Sequence, residues 1–375
     1  MRVLIAGFTT RAIAESARRA GYEPVTVDYF GDLDSQRIGP NVSLRECGRP
    51  YSAAAILELA RDLPADAVVY VGGLENHPDI VAALAAGRTL WGNTPEVLAR
   101  VRDPWVVFSF LRSRGFAVAA FRGRGAALPR RGRWLRKPER GGGGQGVRLW
   151  DGRPLATGQM LQAFIEGPSA SLAFVADGRR ALALGWTRQR QAAPGFRYAG
   201  NVLPLDGPAA AFAEASAIAR ALTEEFGLRG LNGIDFVLHG GRPVVLEVNP
   251  RYAASMELID RAAGTPVFGL HVSAVEGTLP PAPPPARPGY WGKAIVYAAE
   301  RLVAPATAGW TRRGIRDVPH PGSALAPGQP ICTVFAHAGT AARCEAELQS
   351  RGEAVRRACR PAPPRPRAVV PPERL

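Results

Sequence analysis

Gly233-Ile234-Asp235-Phe236-Val237-Leu238 and, after five residues, Val244-Val245-Leu246-Glu247-Val248-Asn249-Pro250-Arg251 are two apolar runs, each interrupted by a carboxylate. They read as the arms of a β-hairpin. If His239–Pro243 forms a five-residue loop, Leu238 pairs with Val244 and Asp235 falls directly opposite Glu247, with both side chains on one face. Period-two alternation adds Asn249 to that face. Two carboxylates facing each other across a ladder repel by up to about 1 kcal/mol unless a positive group lies between them. Hard oxygen ligands of this kind suit Mg²⁺, with Mn²⁺ as a substitute. The plainer alternative is a different register, with one carboxylate solvated at a strand end.

Upstream, Trp134 to Trp150 reads strand, glycine run, strand, and holds Arg136-Lys137-Pro138-Glu139-Arg140-Gly141-Gly142-Gly143-Gly144-Gln145-Gly146-Val147. Glycines leave the backbone free to turn N–H groups toward a phosphate, and a lysine closing the preceding strand supplies a point charge. The lysine precedes the glycines, so this is not a P-loop. A flexible linker is the bland reading, and the flanking strands argue against it. Further strand is expected from Gln159 to Trp186, and helices near Pro104–Arg114 and over Ala209–Phe226.

The N-terminal segment alternates Val3–Ala6, Ala12–Ala20, Pro24–Val27, Ala53–Leu63 and Ala67–Val71, which reads β-α-β-α-β and predicts a parallel sheet. Ligand-facing residues should gather near Gly7, Asp28 and Gly72-Gly73. The first turn, Gly7-Phe8-Thr9-Thr10-Arg11, lacks the glycine pattern of a dinucleotide site. After Gly277, the run Leu279–Pro285 is a Pro-rich linker, followed by a module of strands (Lys293–Phe335) and one helix (Gly339 to about Arg356). The tail Arg360–Leu375 has little to bury and is expected to be unstructured. The expected divisions are 1–96, 97–277 (a small lobe near 105–165, a large lobe near 166–277), 278–290, 291–358 and 359–375.

Composition narrows the function classes. The chain of 375 residues carries a formal charge of +15, yet lysine occurs only at 137 and 293. An Arg-inflated, Ala- and Gly-rich sequence of this kind points to coding bias and away from a nucleic-acid surface. Cys47, Cys332, Cys344 and Cys359 show no metal-ligand or disulfide spacing, and no apolar run approaches a membrane span. A soluble, cytoplasmic protein without nucleic-acid or membrane partners is expected, with a homodimer as a possible state.

Lys-Pro before a glycine-rich loop, then Asp on one strand and Glu-x-Asn-Pro-Arg on the next, resembles the ATP-grasp superfamily, and within it the ATP-dependent carboligases allied to biotin carboxylase and carbamoyl-phosphate synthetase. The resemblance runs to about Gly277. It implies a mixed α/β and α+β architecture: a Rossmann-like parallel-sheet domain, a two-lobed ATP-grasp domain and a small β-rich C-terminal module. By matching position, Lys137 would contact ATP phosphates. Gly141, Gly142, Gly143, Gly144 and Gly146 would form a mobile phosphate lid. Asp235, Glu247 and Asn249 would hold Mg²⁺, and Arg251 would steady the phosphorylated intermediate. On the hinge strand Gln162 would face the adenine amino group, where relatives often carry Glu, and the backbone of Ala163 and Ile165 would hold the ring. Ser169 stands where many members grip the ribose with Glu, and Arg102 where they carry a second lysine.

The implied activity is an ATP- and Mg²⁺-dependent ligase joining small molecules: a carboxylate becomes an acyl phosphate that an amine captures, as in some relatives of cofactor biosynthesis. A bicarbonate-activating enzyme and a non-catalytic nucleotide binder are the alternatives. Arg188, Arg190 and Arg197 either line an anionic-substrate pocket or are solvated. Phe164-Ile165 and Leu172–Val175 are expected in the sheet core, and His239 and His271 in structural roles.

Overall fold

The computed structural model describes residues 1–129 and 131–361. The N-terminal alternation builds β1 (Arg2–Ala6), α1 (Arg11–Arg19), β2 (Glu23–Asp28), α2 (Leu33–Ile38), β3 (Asn41–Ser43), α3 (Ala53–Ala60), β4 (Ala67–Tyr70), α4 (Pro78–Ala85) and β5 (Thr89–Leu90). The strands form a parallel sheet ordered β3-β2-β1-β4-β5. Val3 to Ala6 are all fully buried, as a strand covered on both faces requires. The carboxyl ends of β1, β2 and β4 face the rest of the molecule.

Two short helices follow, α5 (Pro95–Val101) and α6 (Pro104–Ser113). Both have proline in the first turn, and the Asp103 side chain accepts the backbone N–H of Trp105 (2.8 Å) and Val106 (3.4 Å). This Asp-Pro start fixes the corner between the helices, where Arg102 stands.

β6 (Phe121–Arg122), β7 (Trp134–Pro138), β8 (Arg148–Leu149) and β9 (Gln159–Ala163) form the small lobe, in the order β6-β9-β7-β8. The large lobe contains β10 (Ser169–Asp177), β11 (Ala181–Ala192), β12 (Arg197–Leu203), α7 (Ala209–Phe226), β13 (Arg229–His239), β14 (Arg242–Asn249), α8 (Met256–Ala263) and α9 (Val267–Val275). α7 ends on Gly227 in the left-handed region. Leu172–Val175 are buried, as expected, but Phe164 and Ile165 are only half-buried: Phe164 lies under the Arg133 guanidinium at 4.2 Å.

The last segment comprises β15 (Tyr290–Tyr297), β16 (Leu302–Val303), β17 (Ala324–Leu325), β18 (Pro330–Ala338), α10 (Ala341–Ala358) and β19 (Arg360–Pro361). Its two long strands continue the large-lobe sheet, ordered β14-β13-β10-β11-β12-β15-β18. The expected separate C-terminal module is therefore part of the large-lobe sheet, because β12 leaves an edge that β15 pairs. Arg360 and Pro361, assigned to an unstructured tail, pair with β16; residues 362–375 lie outside the described residues. No helix among the described residues is long and apolar enough to cross a membrane.

The deciding hairpin is tighter than expected. Its turn is Gly240-Gly241, both at positive φ (+56° and +80°), and His239 pairs with Arg242, so Leu238 faces Pro243 and not Val244. Two consecutive left-handed residues suit the twist of the strands, and glycine adopts them without steric cost. A bulge at Leu246 then adds one residue to β14 and restores Asp235 opposite Glu247.

Candidate nucleotide and substrate site

The hairpin brings Asp235, Glu247 and Asn249 together on one face. Asn249 Nδ2 donates to Asp235 Oδ2 at 3.0 Å, and Gln189 Nε2 on β11 donates to Asp235 Oδ1 at 2.7 Å. Arg102 Nη1 donates to Glu247 Oε1 at 2.8 Å. Burial, then the Glu247 charge, pushes the Asp235 pKa up to about 7. A carboxylate pair strained in this way is the donor chemistry that a divalent cation relieves, and two carboxylates with an amide oxygen fit Mg²⁺ completed by phosphates and water. Among the described residues no cluster of three His, Cys, Asp or Glu is placed to hold a metal without such help.

Lys137 on β7 reaches the same space, with Nζ 3.4 Å from Gln162 Oε1, while Gln162 Nε2 donates to the Leu246 carbonyl at 3.1 Å. Gln162 is thus held between the lysine and the bulge. Lys137, Gln162, Asp235 and Glu247 line a cavity of about 160 Å³. Ala163, Ile165 and Ser169 do not line it. The Ala163 N–H already donates to Ala120 (2.7 Å), and Ser169 Oγ accepts from Gln191 (3.2 Å).

The glycine loop is docked over this cavity. Tyr198 N donates to Gly143 O at 2.9 Å, and Arg102 Nη2 donates to Gly141 O at 3.1 Å. At Gly144 (φ +70°) a Cβ would overlap the Phe196 carbonyl, so this close approach needs glycine. On its other side lies a much larger cavity of about 1340 Å³, reaching to the N-terminal sheet. Gly141, Gly142, Gly144, Gln145, Val147 and Phe196 border both.

Arg251 lines the larger cavity. Its Nε donates to Glu75 Oε1 at 2.7 Å and its Nη2 to Asn249 Oδ1 at 3.1 Å, which ties it to the carboxylate face. Glu75, just past β4, is 1% exposed; burial alone would raise its pKa, but Arg251 and then Arg102 outweigh burial and hold it below the usual range. Lys293 lines the same cavity, with Nζ 2.7 Å from Glu257 Oε2 and 3.1 Å from Ala254 O. Arg11 binds Glu257 and Asp317.

Sequence reasoning missed Glu75, Lys293, Arg11 and Asp317. Lys293 had one signal, since it and Lys137 are the two lysines of an arginine-rich chain, and both line cavities. Arg188 and Arg190 do not line either cavity: they clamp Glu345 of α10 at 2.6 and 2.9 Å. Arg197 does line the larger one, over the Tyr297 ring and bonded to Gly328 O. His271 is structural: Nδ1 accepts the Leu231 N–H (2.9 Å) and Nε2 donates to Trp91 O (3.1 Å).

Residues 102–255 match the ATP-grasp domain family, and the fold is that of the ATP-grasp structures below. Among curated proteins the chain is 23% identical over 357 residues to an uncharacterized protein of Methanocaldococcus jannaschii, covering 90% of this chain and 88% of that one. Among solved structures it is similar to the pyruvate carboxylase of Rhizobium etli (TM-score 0.72, 17% identity, 96% of this chain), of which it spans only 37%. The biotin carboxylase domain of Hydrogenobacter thermophilus 2-oxoglutarate carboxylase, solved with MgADP and bicarbonate, gives TM-score 0.69 at 15% identity, covering 93% of this chain and 88% of that one. The L-amino acid ligase of Bacillus licheniformis gives TM-score 0.69 at 16% identity, covering 94% and 97%.

Proposed function

We propose that the protein is an ATP- and Mg²⁺-dependent ligase that activates a substrate carboxylate as an acyl phosphate for capture by an amine. One observation carries this reading: the glycine loop is the common wall of two cavities, with Lys137, Asp235 and Glu247 on one side and Arg251 on the other. A phosphoryl group held in the first cavity is then presented to a substrate in the second.

Lys137 binds the terminal phosphates, and Asp235, Glu247 and Asn249 are the residues to hold Mg²⁺, which when bound neutralises phosphate charge. A substrate carboxylate oxygen attacks the γ-phosphorus, and the bond to the β-γ bridging oxygen breaks, releasing ADP. Arg251, oriented by Glu75 and Asn249, faces the anionic acyl phosphate. An amine then attacks the acyl carbon, phosphate leaves, and the amine proton passes to solvent or phosphate. The seated loop excludes water that would hydrolyse the intermediate.

Bicarbonate activation is the second reading, favoured by the likeness to biotin carboxylase domains. The test is ADP release from Mg·ATP against a panel of carboxylates, amines and bicarbonate. Stimulation by a carboxylate and amine together supports the ligase. Bicarbonate acting alone replaces it with the carboxylase-like reading, and no stimulation by any of them rejects both.

A further inference from the structure

Away from the glycine loop, the large cavity runs to the carboxyl ends of β1 and β2, where Phe8, Phe30 and Tyr51 wall it. Phe8 stands edge-on to Phe30 and Tyr51, with ring centroids 5.2 and 4.9 Å apart. Asp32, the residue before α2, lines this compartment at 8% exposure. Its side chain caps no backbone N–H, and among the described residues its carboxylate makes no hydrogen bond or ion pair, Arg11 acting on it only from longer range.

The neighbouring carboxylates are satisfied, although the hydroxyls of Ser35 and Tyr51 are buried without a hydrogen-bond partner. Asp28 accepts from Thr10 Oγ1 (2.6 Å) and Gly31 N (3.0 Å), and Asp34 from the backbone of Asp317 (2.9 Å) and Val318 (2.8 Å). The nearby cations are committed as well, Arg11 to Glu257 and Asp317, and Lys293 to Glu257. Asp32 is left as a buried, unpartnered acid among like charges, a group that demands a proton or a cation. Burial, then Asp317 and Asp34, push its pKa well up.

We infer that Asp32 receives a protonated amine carried by an organic substrate, held between the carboxylate and the aromatic walls of Phe8 and Phe30. The ammonium supplies both the missing charge and the donors, and ring faces favour it further. β1 separates β2 from β4, so the ends of β2 and β4 lie about 10 Å apart at ordinary strand spacing. Arg251 packs on Gly72 beyond β4. The amine at Asp32 is thus a recognition handle that stays protonated, while the reacting group of the same molecule sits on the Arg251 side. This inference rests on the ligase reading for its substrate, which becomes an extended, amine-bearing molecule and not bicarbonate.

The experiment titrates benzylamine and its neutral counterpart benzyl alcohol into the full chain and into Asp32→Asn, without nucleotide, by calorimetry or ligand-observed NMR. Benzylamine should bind wild type at least about tenfold more tightly than benzyl alcohol, and Asp32→Asn should bring it down to the alcohol's level. The inference is overturned if benzylamine fails to bind, if the alcohol binds equally, or if the variant keeps full benzylamine affinity. Asparagine suits the position before a helix, and should the variant fail to fold, the two probes on wild type decide alone. Amine binding without carboxylate-stimulated ADP release would sink only the ligase reading; ADP release without amine binding would sink only this one.

Discussion

Arg102 reaches Glu247 from outside the hairpin, with Nη1 2.8 Å from Oε1, and the same guanidinium donates to Val248 O (2.7 Å) and Gly141 O (3.1 Å). One planar fork therefore joins the carboxylate face to the glycine loop. A lysine could not make these contacts at once, because it offers a single donor centre.

Glu247→Gln should lower ADP release by about 10²–10³-fold, the range seen when one group stabilising transition-state charge is removed. Glutamine still accepts from Arg102, and the guanidinium keeps its two backbone partners, so the melting temperature should not move. Turnover at the wild-type rate would refute the assignment of Glu247 as a metal ligand.

Mg²⁺ binding should be coupled to the proton on Asp235. The folded pKa of about 7 stands above the ordinary 3.8, so the folded chain holds this proton more tightly than the unfolded chain does. The group's contribution to stability is complete below about 3.8 and is lost as pH rises through about 7. Metal binding should release about one proton below pH ~7 and none well above it. Calorimetry in buffers of different ionisation enthalpy reads this number, and Asp235→Asn should abolish the release.

Two neighbouring glycines should respond differently to alanine. At Gly143 (φ +61°) a Cβ meets nothing within 4 Å, whereas at Gly144 it overlaps the Phe196 backbone. Gly143→Ala should cost only the left-handed strain of roughly 1–2 kcal/mol and still seat. Gly144→Ala should prevent seating and leave the loop open to protease even with Mg·ATP. A loop equally protected in both variants would contradict the docked geometry. The cavity beneath, about 160 Å³, is below the about 300–1,000 Å³ usual for ligand sites, so on the proposed reading the loop should have to lift for a nucleotide to enter.

The carboxylate face was legible in sequence because alternation and a short loop bring Asp235 and Glu247 opposite each other. The route was not legible: the actual turn is shorter and a bulge at Leu246 compensates, a cancellation that no local pattern encodes. The partner of Arg251, Glu75, is 176 residues away, and that of Arg11, Glu257, is 246 away. Neither pair leaves a periodicity to read. Arg188 and Arg190 look like anion ligands until α10 brings Glu345 onto them.

His271 should contribute to acid sensitivity. Burial lowers its pKa from 6.5 to about 4, so below 6.5 the unfolded chain takes up a proton that the folded one refuses. Its stabilising contribution is full above 6.5 and falls by up to about 1.4 kcal/mol per pH unit toward 4. NMR titration of the imidazole checks this directly, and a midpoint near 6.5 would contradict the buried geometry.

The pairing of β12 with β15 also governs where the chain can be divided. A fragment ending at Gly277 keeps every motif of the carboxylate face, yet it exposes the Gly200–Leu203 ladder edge of β12 and lacks Lys293 and Asp317 from the cavity wall. Bare edges of this length recruit strands from other molecules. Such a fragment should self-associate in solution, so the proline run marks a crossing between strands of one sheet and not a cleavable joint.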